Sequence, residues 1–279
     1  MELLVIRFIM LSILMLSYTT ILWLVVADTN VLSGSECSEA ESAATQNSFQ
    51  TNLNSLLNSL PTSVSPHGGF YKTSAGKDSD KIYGLVQCRG DVSAADCANC
   101  TKESTKAALQ DCPRSKKVKV WFKWCFLRYS DENFFGIWDQ SSVALTNDTN
   151  FEDSSMVSKG LNFMDELAST APEQPLMFQT AVLDGGESGK RYGMGQCIRD
   201  ISRSDCSRCL DAQLVTFRTT IGNKRGWEIY GSSCSMWYHD FQFYFNISTP
   251  VNDGDRSLSL PGVPIGVALA ELVLLWWLL

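Results

Sequence analysis

A cysteine pattern that occurs twice constrains this chain more than any other feature. "YGLVQCRGDVSAADCANC" (Tyr83–Cys100) and "YGMGQCIRDISRSDCSRC" (Tyr192–Cys209) both carry C-x8-C-x2-C behind Tyr-Gly. Cys88, Cys97, Cys100 and Cys125 recur 109 positions on, as Cys197, Cys206, Cys209 and Cys234. The likeness runs past the cysteines. "CFLRYSDENFF" from Cys125 aligns with "CSMWYHDFQFY" from Cys234 at Tyr129/Tyr238, Asp131/Asp240 and Phe134/Phe243. Self-similarity at a fixed long period marks a duplicated structural unit. The chain reads as a tandem of two domains, over 30–140 and 150–250, with a polar, linker-like seam at "SSVALTNDTN" (Ser141–Asn150).

What ten cysteines mean depends on the compartment. The N-terminus has Arg7 in a short leading region, an apolar run from Phe8 to Val26, and Val25 and Ala27 as the small residues of a cleavage site. Residues 1–27 therefore read as a signal peptide, with an uncleaved signal anchor as the alternative. Either route brings the cysteines into an oxidising lumen. Cys37 and Cys112 have no counterpart in the second copy, where Thr146 and Ile221 stand. Half a bridge would leave a reactive thiol, so their joint absence implies that Cys37 pairs with Cys112. The four remaining cysteines per copy allow three pairings. Cys97 and Cys100 sit one helical turn apart and would bridge each other only with strain. Two arrangements stay open on spacing alone.

Local patterns place these cysteines on elements. Ser93 with Asp96, and Ser202 with Asp205, form S-x-x-D capping boxes that open a helix in each copy. The spacing puts both cysteines of each C-x2-C on one face of its first turn. A second amphipathic helix precedes it, at "SFQTNLNSLLNSL" and at "MVSKGLNFMDELAS". Strands are expected at "KIYGLVQC", "KVKVWFKWCFLRY" and "ENFFGIWD", and at "KRYGMGQC", "GWEIYGSSCSMWYHD" and "FQFYFNIS" in the second copy. The fold class is α+β: tandem disulfide-stapled domains of about 105 residues, each with two helices packed on an antiparallel β-sheet.

The composition narrows the chemistry. A net charge of −7 argues against nucleic-acid binding, which needs a basic face. In "RSKKVKVWFK", Val118, Val120, Phe122 and Trp124 alternate with Lys117, Lys119 and Lys123, as in a strand with one solvated face. A four-cysteine zinc site at Cys97, Cys100, Cys112 and Cys125 fails in the second copy, which lacks the Cys112 equivalent. A luminal thiol oxidoreductase would use C-x-x-C at a helix start, but the flanking cysteines have the arithmetic of two closed bridges. His67 lies in a turn and His239 stands where the first copy has Ser130, neither beside a nucleophile or acid in any recognisable constellation. "DGGESGK" lacks the spacing of a phosphate-binding loop. The reading is a non-enzyme with no cofactor. Asn147 and Asn246 are glycosylation candidates, while Asn99, between two cysteines, is expected to be hidden.

The tail "LSLPGVPIGVALAELVLLWWLL" (258–279) is long enough to span a bilayer as a C-terminal membrane segment. Glu271 is unfavourable at bilayer depth, and no Lys or Arg follows. "NDGD" (Asn252–Asp255), a short spacer and an apolar end also fit a GPI signal. Both anchors remain open.

The two C-x8-C-x2-C units, with Cys37 and Cys112 framing the first, resemble the ginkbilobin-homologous domain of land plants over about Gly34–Thr249. Two such domains between a signal peptide and a membrane segment, without a kinase, resemble the plasmodesmata-located proteins of the cysteine-rich repeat secretory group. That resemblance implies the bridges Cys37–Cys112, Cys88–Cys97, Cys100–Cys125, Cys197–Cys206 and Cys209–Cys234. The second domain, with one staple fewer, is expected to be the softer. Ginkbilobin binds mannose through an Asn near the first cysteine and an Arg and a Glu flanking the last. Around those places this chain has Ser38, Lys119 and Ser130 or Asp131, three departures in residue type that leave mannose recognition without its usual groups.

The resemblance implies a membrane-anchored extracellular protein at plasmodesmata that modulates cell-to-cell trafficking, partly through callose deposition. Implied partners are the membrane, other membrane or cell-wall proteins in homo- or hetero-oligomers, and viral movement proteins. Family members carry a few cytosolic residues after the span. This chain stops inside or just after its own, which argues against signalling through a cytosolic tail. The alternative is an apoplastic carbohydrate-binding antifungal or defence lectin.

Overall fold

The computed structural model describes residues 29–39, 46–147, 149–150 and 154–245, together with Arg7. Apart from Arg7, the expected signal peptide and the apolar tail lie outside the described residues, as does Asn246. Among the described residues, no helix is long and apolar enough to cross a membrane.

Apolar residues alternating along short β-branched and aromatic runs build two five-stranded antiparallel sheets. The first contains β1 (Leu32–Cys37), β2 (Phe70–Ala75), β3 (Ile82–Cys88), β4 (Val118–Phe122) and β5 (Cys125–Ser130), in the order β1-β4-β5-β3-β2. The second contains β6 (Ser142–Thr146), β7 (Phe178–Asp184), β8 (Lys190–Cys197), β9 (Trp227–Gly231) and β10 (Cys234–His239), in the order β6-β9-β10-β8-β7. The duplication in sequence is thus a duplication in topology.

Several strand expectations need correction. "ENFFGIWD" and "FQFYFNIS" are not strands over their described residues. In the first, the Asn133 carboxamide accepts a hydrogen bond from the Phe135 N–H at 3.1 Å, and Gly136 takes φ +72°, so the chain turns. "KVKVWFKWCFLRY" is a hairpin, β4 and β5, turning at Lys123-Trp124. The stretch read as a linker contains β6, paired along β9, so the second sheet begins before residue 150. The four outer strands β1, β2, β6 and β7 escape the sequence pattern because, as sheet edges, none carries a continuous run of buried apolar residues.

Two helices cover one face of each sheet. In the first domain these are α1 (Gln46–Ser63) and α2 (Ala94–Asp111), and in the second α3 (Ser154–Thr170) and α4 (Arg203–Thr216). Leu53, Leu56, Leu57 and Leu60 form the buried stripe of α1 at helical spacing. Both capping boxes form. Ser93 Oγ accepts from the Asp96 N–H at 3.1 Å and donates to its carboxylate at 2.7 Å, and Ser202 treats Asp205 the same way. Each cap leaves its C-x2-C facing the sheet. Cys97 is bonded to Cys88 at the end of β3 and Cys100 to Cys125 at the start of β5. Cys206 with Cys197 and Cys209 with Cys234 repeat the arrangement, and Cys37–Cys112 ties the edge strand β1 to the end of α2.

The repeated Tyr-Gly also has a structural reason. A Cβ on Gly84 would come within 2.4 Å of the Leu56 side chain, and one on Gly193 within 2.5 Å of Phe163. α1 and α3 therefore lie against bare backbone of β3 and β8. Gly84→Ala and Gly193→Ala are each expected to lower stability by about 1–3 kcal/mol through overpacking. Gly34→Ala, with nothing within 4 Å of its would-be Cβ, is expected to be neutral. Urea unfolding midpoints of the three variants check this.

Candidate functional site: the seam between the two sheets

The helices cover only one face of each sheet. The other faces meet. Leu85, Trp121 and Phe126 of the first sheet, with Met194, Tyr230 and Trp237 of the second, form a third buried cluster. The turns that were expected to be strands supply Phe134, Phe243 and Tyr244 to it. This corrects the reading of β4. Val118 and Val120 do face the helices. The opposite face, however, carries Trp121 into the seam, and Lys119 and Lys123 make ion pairs rather than project into solvent.

Several polar groups in the seam are paired across it. The Gln87 amide donates to the Cys197 carbonyl at 2.8 Å, and its oxygen accepts from the Arg199 N–H at 2.8 Å. Gln196, its repeat equivalent, donates to the Cys88 carbonyl at 3.0 Å and accepts from the Gly90 N–H at 3.3 Å. The two glutamines clasp each other's strand ends reciprocally, as a two-fold interface requires. Trp121 Nε1 donates to the Gly231 carbonyl at 3.2 Å.

Charges are buried there as pairs. Asp91 holds the Arg89 guanidinium at 2.6 Å, with side chains 0% and 4% exposed, and accepts from the Phe245 N–H at 2.7 Å. Arg89 lies 5.6 Å from the centre of the Trp237 ring. Glu228 is the other hub. Lys123 Nζ bonds both its oxygens, Tyr230 donates its hydroxyl, and His239 Nε2 lies 2.9 Å away. Burial alone would push the Glu228 carboxyl up. The His239 hydrogen bond, the Lys123 charge and the Tyr230 hydroxyl outweigh it and hold the group down to about 2.

Comparison with known proteins fits this architecture. The salt stress response/antifungal (Stress-antifung) family model matches twice, over residues 36–132 and 143–241. The chain belongs to the Stress-antifung family. An antimicrobial ginkbilobin-2-like protein of Castanea crenata is 35% identical over 209 residues, covering 74% of this chain and 86% of that protein. Cysteine-rich repeat secretory protein 38 of Arabidopsis thaliana is 32% identical over 213 residues, covering 75% and 84%. Among solved structures, the tandem DUF26 ectodomain of the Arabidopsis thaliana cysteine-rich receptor-like protein PDLP8 matches with TM-score 0.66 and 27% identity, covering 76% of this chain and 99% of that one. This is accordingly a plant protein of the secretory pathway, with two tandem Stress-antifung domains of extracellular type.

Within this Stress-antifung pair, the residues singled out in sequence do not form one constellation. All ten cysteines lie in the five bridges that the family resemblance implies, and no thiol is free. Ser38 Oγ accepts from the Lys116 and Lys117 N–H groups and so closes the end of β1 onto the chain entering β4. Asp131 sits 3.9 Å from Lys116. Lys119 is engaged elsewhere. Its ammonium reaches Glu36 at 3.1 Å, Asp139 at 3.2 Å and Ser141 Oγ at 2.9 Å, one acceptor for each of its three N–H bonds. Asn99, expected to be hidden, has an exposed side chain on the outer side of α2, while Thr101 of its sequon is fully buried. Asn147 is half-buried and accepts from the Gly226 N–H at 3.2 Å. The Gln87/Gln196 clasp was overlooked. Its signal was available, because both glutamines precede the first cysteine of the repeated motif.

Because the Glu228 carboxyl is depressed in the folded chain, its ionised form stabilises the fold above the ordinary carboxylate range near 4.5, and that contribution is lost as pH falls towards 2. Glu228→Gln is expected to remove up to about 3 kcal/mol at pH 7 and less at pH 3. Chemical unfolding of both proteins across pH 2–7 tests this, the expected result being two stability curves that converge in acid.

Proposed function

We propose that the chain is a non-enzymatic, membrane-anchored extracellular protein at plasmodesmata that modulates cell-to-cell trafficking. The observation that carries the reading is the match of 76% of this chain to 99% of the PDLP8 tandem ectodomain. The residue pattern adds to it through the resemblance to plasmodesmata-located proteins and the apolar 258–279 tail. Callose deposition would be the route of the effect. Helices, edge strands and turns of the two-domain body would offer surfaces to other membrane or cell-wall proteins, to further copies of the chain and to viral movement proteins. The seam is consumed in holding the domains together, which suits a rigid recognition body better than a catalyst.

A fluorescent protein inserted after Asn252, ahead of the apolar tail, is expected to mark puncta at wall junctions between cells. Even labelling of the plasma membrane without puncta would sink the plasmodesmal reading. Processing of the tail distinguishes the two anchors: a single-pass protein keeps residues 258–279, whereas a GPI-anchored one loses them.

The 35% identity to the antimicrobial ginkbilobin-2-like protein favours a second reading, an apoplastic carbohydrate-binding defence lectin. It predicts saturable binding on a glycan array together with inhibition of fungal growth by the purified chain. Silence in both assays removes it.

A further inference from the structure

The two copies differ directly after their first motif cysteine: the first reads Cys-Arg-Gly-Asp and the second Cys-Ile-Arg-Asp. That one-position shift changes what the arginine does. Arg89 is buried against Asp91. Arg199 emerges at the rim of the seam and lines, with Arg89, a cleft of about 210 Å³ between the domains. Its neighbour Asp200 makes no ion pair with it and is turned towards the Gly136 N–H, 3.1 Å away. Arg89, Arg128, Arg203, Arg208, Arg218 and Arg225 each have a carboxylate within ion-pair distance. Arg199 has none among the described residues. Burial pulls its pKa down with no acid opposing the shift.

The guanidinium is nevertheless held in place. It donates to the Gly68 carbonyl at 2.6 Å and lies 5.3 Å from the centre of the Phe70 ring. Gly68 and Gly69, at φ +63° and +80°, make a turn that only glycine adopts readily, and their lack of side chains keeps the cleft open beside the arginine. A planar donor fork, fixed on one side and unpaired on the other, matches a carboxylate bidentately. Arg89 also lines the cleft, but its charge is met by Asp91 at 2.6 Å, and the other lining residues are uncharged. The Ser65 hydroxyl and Gln196 amide are polar, and Val92 and Leu176 are apolar. The volume lies below the ~300–1,000 Å³ of drug-sized pockets, so a single ring fits and a long ligand does not. The chain's charge of −7 disfavours polyanions.

We infer that this interdomain cleft binds a uronic acid unit, with its carboxylate on Arg199, its hydroxyls towards Ser65, Gln196 and the glycine backbone, and its C–H face against Val92 and Leu176. The assignment holds whether or not the chain resides at plasmodesmata, so a failure of either is seen separately. Isothermal titration calorimetry on the purified chain at low ionic strength tests it, using D-galacturonate, D-galactose and sulfate as probes. The expected result is saturable binding of D-galacturonate at one site, no measurable heat with D-galactose, and weaker binding of sulfate. Arg199→Gln should weaken galacturonate binding about 10-fold or more. Arg203→Gln, which alters an exposed ion pair at Glu173, should bind like wild type. Leu176→Trp fills the cleft from a residue that is 39% exposed and should also abolish binding, so the test stands even where Arg199→Gln disturbs folding. Absence of galacturonate binding at ~10 mM, equal binding of galactose or sulfate, or full binding by a folded Arg199→Gln or Leu176→Trp chain would each overturn the inference.

Discussion

Each sheet of this protein has two apolar faces and only one pair of helices to cover them. The second face of each sheet is therefore left for the other sheet, and the rest of the architecture follows from that. Trp121, Phe126, Tyr230 and Trp237 would be exposed aromatics in an isolated domain. Apolar patches of that kind are rarely left in water. Burying them against each other brings the ends of β3 and β8 together, and those ends carry peptide groups that water no longer reaches. Gln87 and Gln196 supply the missing partners. A buried polar pair that is satisfied in only one docking arrangement fixes the register of the interface more sharply than the apolar contacts do.

The two domains are braced by different means. The first ties β1 to the end of α2 with Cys37–Cys112. The second lacks that bridge and fills the corresponding region with larger side chains. Phe217 stands where the first copy has Ala108, and Trp227 where it has Val118. Phe217 stacks on Trp227 at 4.4 Å between ring centres, and Trp227 on Tyr238 at 5.8 Å. The helix also loosens into a π-turn over Phe217–Ile221, and Arg218 reaches Asp165 of α3. A covalent bridge stabilises mainly by restricting the unfolded chain, whereas an aromatic stack acts through buried area in the folded one. The missing staple therefore does not by itself make the second domain the softer.

A seam that joins two domains also creates a rim, and the rim is where the copies are free to diverge. Inside the seam, substitutions must keep both packing and hydrogen bonds intact. At its edge, the arginine stands one position apart in the two copies: Arg89 is buried on Asp91, whereas Arg199, in the same cleft wall, has no carboxylate partner among the described residues. The bridged Cys88–Cys97 pair and the Gln196 clasp form part of that cleft's wall, so its shape is backed by the most firmly held part of the molecule.

The sequence by itself determined the duplication, the α+β class, the capped helices and the oxidising environment, because each depends on local spacing: a 109-residue repeat, an S-x-x-D box, apolar residues every three or four positions. It also contained enough to pair Cys37 with Cys112. Only the tertiary structure decided which residues the two sheets share. A strand whose outer face meets a second sheet reads like one whose outer face meets water when that face carries Lys119, Trp121 and Lys123. The lysines are neutralised by acids distant in sequence, Glu36, Asp139 and Glu228. For the same reason "NFFG" and "FQFY" look like strands but are turns, their aromatic content being set by the seam rather than by a ladder. Local patterning records how strongly a residue is driven from water. It does not record which distant surface receives it, and in this protein that surface is the other copy of the same fold.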